Sequence, residues 1–209
     1  MTAIYHITHI RNLPSIIGAN GLHCDNSRLE QSVDCIGIAH QHIKERRANR
    51  RVPTCEKGTL ADYVPFYFAP RSPMLYSIYR GQVEGYTEGQ SPVLHLVSSA
   101  DAVEQARLAF TYTEGHAEMA FSEFFEGLAD LRGRIDWKAM RSKYWNDDPP
   151  AIVDRKRKRQ AELLVYRFFP SALFSTIGVI NEAVRTEVMQ LLAGTERQPE
   201  VRVQRDWYY

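Results

Sequence analysis

The chain has 209 residues, 44% of them hydrophobic, with 26 Lys and Arg against 25 Asp and Glu for a formal charge of +1. That length and apolar content suit one domain with a full core, and no apolar run approaches the ~18 residues of a membrane-spanning helix. The neutral total argues against a generally basic, polyanion-coating surface, yet ten of the 26 cations fall in two short runs, 44–51 (KERRANRR) and 155–159 (RKRKR), which point to a local anion site.

The first strand is expected at 3–8 (AIYHIT), with His6 and Thr8 on one face and Tyr5 and Ile7 on the other. Asn12 then reads as the N-cap of a helix that opens at Leu13-Pro14 and stops at Asn20-Gly21. Residues 23–35 look irregular, and 36–50 reads as a short helix with His40, Lys44 and Arg47 on an exposed face. A mobile loop runs on to Gly58. Tyr63 to Phe68 is an aromatic strand whose Pro65 suggests a bulge or an edge position. Ser72-Pro73 opens the next helix, which closes near Gly81.

PVLHLVS (92–98) is a clear strand, followed by a short helix from Ser99 and a further strand at 108–113. Phe121, Phe124, Phe125 and Leu128 fall on one helical stripe inside 114–150, a long excursion rather than a second domain. Then come a strand at 161–169, another at 174–180 (FSTIGVI), a helix at 182–193 and a last strand at 200–207. Six or seven short strands with intervening helices predict an α+β domain with a mixed, largely antiparallel sheet.

Several chemistries lack their motifs. Cys24, Cys35 and Cys55, with His40 and His42 between them, show none of the paired spacings of zinc sites, so no metal is expected. An odd cysteine count and an N-terminus (MTAIYHITHIRN) without a secretion signal favour reduced thiols and a cytoplasmic location. There is no G-x-S-x-G elbow, no P-loop and no G-x-G-x-x-G. A nucleotide, if bound, is held some other way.

Glu162 is the sharpest candidate. Five cations lead through Gln160-Ala161 to it, and Leu163-Leu164-Val165-Tyr166 follows. A carboxylate at the mouth of a buried strand is rigidly held while facing a rim, a place for a catalytic acid or a hydrogen-bonding anchor, though also for an ordinary strand-end charge. His6, alone on its strand, reads either as a packing residue or as part of the same site.

Taken together, YHITH-x₃-L-P-x-I, the arginine-rich segment, DYVPFYFAPRSPMLY and QAELLVY resemble the DarT family of DNA ADP-ribosyltransferase toxins, across nearly the whole chain. The resemblance implies an ADP-ribosyltransferase-like split antiparallel sheet around an NAD⁺-binding cleft, in a single domain over 1–209, with NAD⁺ as a consumed co-substrate. It implies a segment 35–53 that covers the dinucleotide and a loop 119–161 that selects the acceptor. Glu162 would orient the nicotinamide ribose and stabilise an oxocarbenium-like transition state. His6, Ile7, Thr8, Ser15, Leu22, Arg51, Tyr67 and Tyr76 would contact NAD⁺.

The implied acceptor is thymine in single-stranded DNA, whose ring nitrogen loses a proton on attack. The family gives that step to a covering-loop arginine, matched best by Arg51, with Arg46, Arg47 and Arg50 close by. Arginine is a poor formal base, so its role is to stabilise the deprotonated base. Arg47, Arg50, Arg155, Lys156, Arg157 and Lys158 would contact nucleic acid. A monomeric toxin paired with a macrodomain antitoxin is expected. RNA or protein as acceptor, and a non-enzymatic single-strand-binding module, stay open at this point.

Overall fold

The computed structural model describes residues 1–33, 35–147, 154–195 and 198–209. Its β-branched and aromatic stretches form ten strands: β1 (Ala3–His9), β2 (Gly21–His23), β3 (Tyr63–Tyr67), β4 (Val93–Ser99), β5 (Phe110–His116), β6 (Phe124–Phe125), β7 (Ala161–Tyr166), β8 (Phe168–Pro170), β9 (Thr176–Val179) and β10 (Glu200–Val203). Between them lie short helices: α1 (Leu13–Gly18), α2 (Asp25–Glu30), α3 (Gln41–Asn49), α4 (Pro73–Tyr79), α5 (Ala100–Gln105), α6 (Leu131–Arg134), α7 (Trp137–Arg141), α8 (Arg155–Lys158) and α9 (Glu182–Leu191). Side-chain caps start several of them. Ser72 Oγ accepts from the Leu75 N–H at 3.1 Å with Pro73 in the first turn, and Ser99 and Asn181 cap α5 and α9 likewise.

Eight strands make one sheet, in the order β10-β9-β4-β1-β3-β7-β5-β6, antiparallel except between β10 and β9; β2 and β8 pair separately. β1 matches β4 over seven residue pairs and β3 matches β7 over five, but β1 and β3 meet at one pair, Tyr5 with Tyr67. The sheet is therefore two halves hinged at a point. Beyond it the two strands are joined through the His6 side chain, whose Nδ1 donates to the Pro65 carbonyl at 2.8 Å and whose ring lies 5.7 Å from that of Phe66.

That opening explains Pro65, which occupies a central strand rather than the edge or bulge expected. In a strand, a residue's N–H and C=O project to the same side. Pro65 aims its carbonyl at His6, so its missing N–H would have faced the split, where no ladder bond is made.

The main core gathers Ile4, Phe66, Leu94, Leu96, Tyr112, Leu163, Val165 and Ile177. A smaller cluster of Val52, Leu60, Tyr63, Ala117 and Leu164 covers the other face of β7. Both faces of β7 are buried, so any polar side chain on it needs a partner.

Other expectations need correcting. Residues 23–35 hold the last residue of β2 and the six-residue α2, both too short to carry a periodic signal. Phe124 and Phe125 belong to a strand paired with Thr113 and Tyr112, not to a helical stripe. The last strand stops at Val203, and a single 3₁₀ turn, Arg205–Trp207, follows. Asn12 precedes α1 but makes no cap bond with its side chain. Instead its Nδ2 donates to Thr8 Oγ1 and Ile36 O at 3.1 and 3.0 Å, while its Oδ1 accepts from Ile36 N–H at 2.8 Å. Asn12 thus ties segment 35–39 back onto β1.

Candidate active site

Glu162 is the second residue of β7, opposite Tyr67 of β3, and is 2% exposed. On its other side β5 bulges between Tyr112 and His116. The bulge removes the ladder partner there, and the Glu162 N–H instead meets Thr113 Oγ1 at 3.3 Å. The carboxylate is held by two donors. Arg47 Nη1 reaches Oε2 at 2.8 Å and the Ala117 N–H reaches Oε1 at 3.3 Å.

Arg47 comes from α3, whose nine residues, QHIKERRAN, bury no apolar side chain. The helix is held to the protein by ion pairs and by the backbone that follows it. Arg47 pairs with Glu162, Arg46 Nε lies 3.2 Å from Glu118 Oε1, and the chain beyond α3 bridges Arg51 to Thr59. Burial works against the Arg47 charge, but the bond and field of Glu162 more than offset it and raise its pKa. Arg47 Nη2 is buried and has no partner among the described residues, which leaves one donor beside the carboxylate for an incoming acceptor.

The split opens into a cavity of about 320 Å³. His6, Ile7, Thr8, Ser15, Leu22, Tyr67, Glu162, Arg47 and Lys156 all line it. The His6 ring is kept neutral, its pKa lowered by burial against the opposing pull of the Pro65 bond. Its Nδ1 is committed to Pro65, so Nε2 is left as an acceptor. Burial, and then the nearby Glu162 charge, push the Tyr67 phenol up, so it is a neutral donor. His116, also lining the cavity, has its pKa lowered by burial while Glu162 opposes the shift.

Other expected residues stand elsewhere. Arg51 is exposed in its bridge to Thr59 and does not line the cavity. Tyr76 lies on the far side of α4, edge-on to Trp145 and Tyr209 at 5.5 and 5.0 Å; Pro73, Met74 and Ser77 are the α4 residues on the cavity. Arg50 Nη2 donates to the carbonyls of Met119 and Ala120 at 3.4 and 3.3 Å.

Most of the 155–159 run points inward. Arg157 bonds Asp154, Glu114 and Ser122, Lys158 Nζ lies 3.4 Å from Asp136, and Arg155 Nη1 donates to Tyr144 O at 3.1 Å. Arg159, 3% exposed, donates to the carbonyls of Arg71, Ala139 and Met140. Of the five, only Lys156 is exposed. Residues 148–153 of the expected acceptor loop lie outside the described residues. Sequence reasoning missed Asn12 and the inward face of α3, which no apolar periodicity marks.

A split antiparallel sheet with a buried carboxylate at the mouth of the cleft is the architecture of an ADP-ribosyltransferase. A family model described as "ssDNA thymidine ADP-ribosyltransferase, DarT" matches residues 5–209. The chain is 45% identical to a DNA ADP-ribosyl transferase of Thermus sp. (strain 2.9), over 100% of this chain and 96% of that one. Thermus sp. 2.9 DarT in complex with ADP-ribosylated ssDNA superposes with a TM-score of 0.92 at 45% identity, covering 100% of this chain and 96% of that one. A structure described as Thermus sp. 2.9 DarT in complex with NAD⁺ gives a TM-score of 0.87 at 42% identity, covering 100% of this chain and 98% of that one. The chain belongs to the DarT family of single-stranded-DNA ADP-ribosyltransferases. Among the described residues no group of three or more His, Cys, Asp or Glu is placed to hold a metal, and no helix is long and apolar enough to cross a membrane.

Proposed function

We propose that this enzyme transfers ADP-ribose from NAD⁺ to a thymine base of single-stranded DNA and releases nicotinamide, as the toxin of a toxin–antitoxin pair. The observation that carries the reading is the Glu162 carboxylate, fixed at the mouth of β7 by Arg47 and Ala117 beside a cavity between the sheet halves. His6, Ile7, Thr8, Ser15, Leu22 and Tyr67 hold the dinucleotide, and segment 35–53, tethered by Asn12, covers it. Glu162 accepts a hydrogen bond from the nicotinamide ribose and steadies the positive charge that develops as the glycosidic bond breaks.

Arg47 takes the role that sequence matching gives to Arg51. Its guanidinium stays charged and does not remove the proton itself; it stabilises the base as the proton departs and holds the Glu162 carboxylate in place. Lys156, exposed and on the cavity, contacts phosphate of either substrate. The single domain, the acceptor loop 119–161, a macrodomain antitoxin, a monomeric state and a cytoplasmic location complete the reading.

The test is to incubate protein, NAD⁺ and a thymine-containing single-stranded oligonucleotide and weigh the products. One added ADP-ribosyl unit on DNA, absent with Glu162→Ala, supports the proposal. Adducts on RNA or protein alone would move the acceptor, and unmodified DNA bound equally by both proteins would leave no enzyme.

A further inference from the structure

The turn that begins at His116 links the catalytic carboxylate to an exposed aromatic ring. His116 lines the cavity, and the next residue, Ala117, donates its N–H to Glu162. Four residues on, Phe121 is 62% exposed, whereas every other phenylalanine of the chain is buried or half-buried. An exposed ring on a loose loop would mean little. This one is held on a braced turn.

Within the turn, Met119 N–H bonds His116 O at 3.0 Å, Ser122 N–H bonds Met119 O at 3.1 Å, and Ser122 Oγ donates back to His116 O at 2.7 Å. From one side Arg50 donates to the Met119 and Ala120 carbonyls. From the other, the Arg157 guanidinium lies against the Phe121 ring, 5.1 Å from its centroid. Arg157 cannot easily turn away. Nη1 bonds Glu114 at 2.5 Å and Ser122 Oγ at 3.2 Å, while Nε and Nη2 grip both oxygens of Asp154 at 2.7 and 2.6 Å. The cation thus backs the ring on one side, in a cation–π contact, and the ring as a whole is more than half open to solvent.

An aromatic ring on a braced turn that starts at the cavity, with cations close by, has the chemistry of a base-stacking platform. Such stacking is sequence-tolerant, because every base offers a π-face, and a preorganised ring loses little freedom on binding. We infer that Phe121 stacks on a nucleobase of the single-stranded substrate next to the target base, with Arg157 positioning the ring from behind. This rests on the DNA-modifying function proposed above and adds a residue that fixes how the strand enters.

The experiment measures initial rates of DNA adduct formation against oligonucleotide concentration at saturating NAD⁺, for wild type, Phe121→Ala, Phe121→Leu and Phe121→Trp. A parallel set replaces the base beside the thymine with fluorescent 2-aminopurine, which is quenched on stacking. We expect Phe121→Ala and Phe121→Leu to raise KM for DNA about ten- to a hundredfold while kcat changes by less than about threefold, with Phe121→Trp close to wild type. Quenching on binding should be seen with wild type and Trp and be lost with Ala and Leu. An active wild type whose Ala variant keeps its KM, or whose Leu variant matches it, overturns the stacking role alone. A wild type that binds NAD⁺ but modifies no DNA overturns the function and the stacking role together.

Discussion

Arg47 Nη1 stands 2.8 Å from Glu162 Oε2, a link between a helix with no buried apolar residue and a strand buried on both faces. The pair is nearly dry, with side-chain exposures of 12% and 3%. Removing one member leaves the other as an uncompensated buried charge, which typically costs about 3–5 kcal/mol. Arg47→Ala should therefore lower stability by about 3 kcal/mol and abolish DNA modification. In a denaturant titration, Glu162→Gln combined with Arg47→Ala should cost less than the two single changes added together. Strict additivity would mean that the two side chains do not depend on each other.

Arg51 offers the contrasting case. It is exposed and off the cavity, so Arg51→Ala should retain adduct formation within about tenfold, a loss of no more than ~1.4 kcal/mol. Arg47→Ala should fall by at least ~100-fold, as when a preorganised transition-state donor is removed. Single-turnover rates of both variants decide between them, and the reverse ranking would restore the role to Arg51.

Gly115 controls the Arg157 brace. A Cβ there would come within 2.8 Å of Arg157 Cζ, forcing the guanidinium off its carboxylates. Gly115→Ala should destabilise the fold by about 1–3 kcal/mol and weaken DNA use, while NAD⁺ affinity by calorimetry stays near wild type.

The 155–159 run should divide by burial. Replacing Arg155 and Lys156 with alanine should flatten the salt dependence of oligonucleotide binding, since each cation withdrawn from a phosphate reduces the slope by about one ion. Arg159→Ala should act on stability instead, since its guanidinium serves two carbonyls of α7 and that of Arg71, tying α7 and the segment before α4 to the start of β7. Binding isotherms at several salt concentrations, with melting curves, separate the two effects.

Acid should expose His95, a wholly buried ring that donates from Nε2 to Pro70 O at 3.0 Å and has its pKa lowered by burial from 6.5 to about 4. Above pH 6.5 it is neutral whether folded or unfolded. As pH falls from there towards 4, the unfolded chain takes up a proton that the folded one refuses, and up to about 3 kcal/mol of stability is lost. His95→Gln keeps a donor for Pro70 O without a titration. Its stability should be flatter across that window than the wild type's, measured by denaturant midpoints at each pH.

Much of this was legible in the residues. The strand at β7, the helix at α4 with its Ser72 cap and the position of Glu162 at a strand mouth all follow from local chemistry, because β-branched runs and capping side chains act over a few residues. Pairing between distant segments does not. Pro65 reads as an edge residue until β1 is seen to leave β3 after one pair. Arg47 reads as solvated because α3 carries no apolar stripe to orient it. The Arg157 and Arg159 cations look free until Glu114, Asp154 and the α7 carbonyls fold around them. Asn12 looks like a cap and serves as a tether.

The central claim is that Glu162, beyond its part in holding Arg47, acts on the reacting ribose rather than on NAD⁺ binding. Its most direct test is a single-turnover measurement of adduct formation with Glu162→Gln, alongside its affinity for NAD⁺. We predict an affinity within a few-fold of wild type and a chemical step slowed by at least ~100-fold. A variant that turns over at the wild-type rate, or whose whole deficit lies in NAD⁺ affinity, would contradict it.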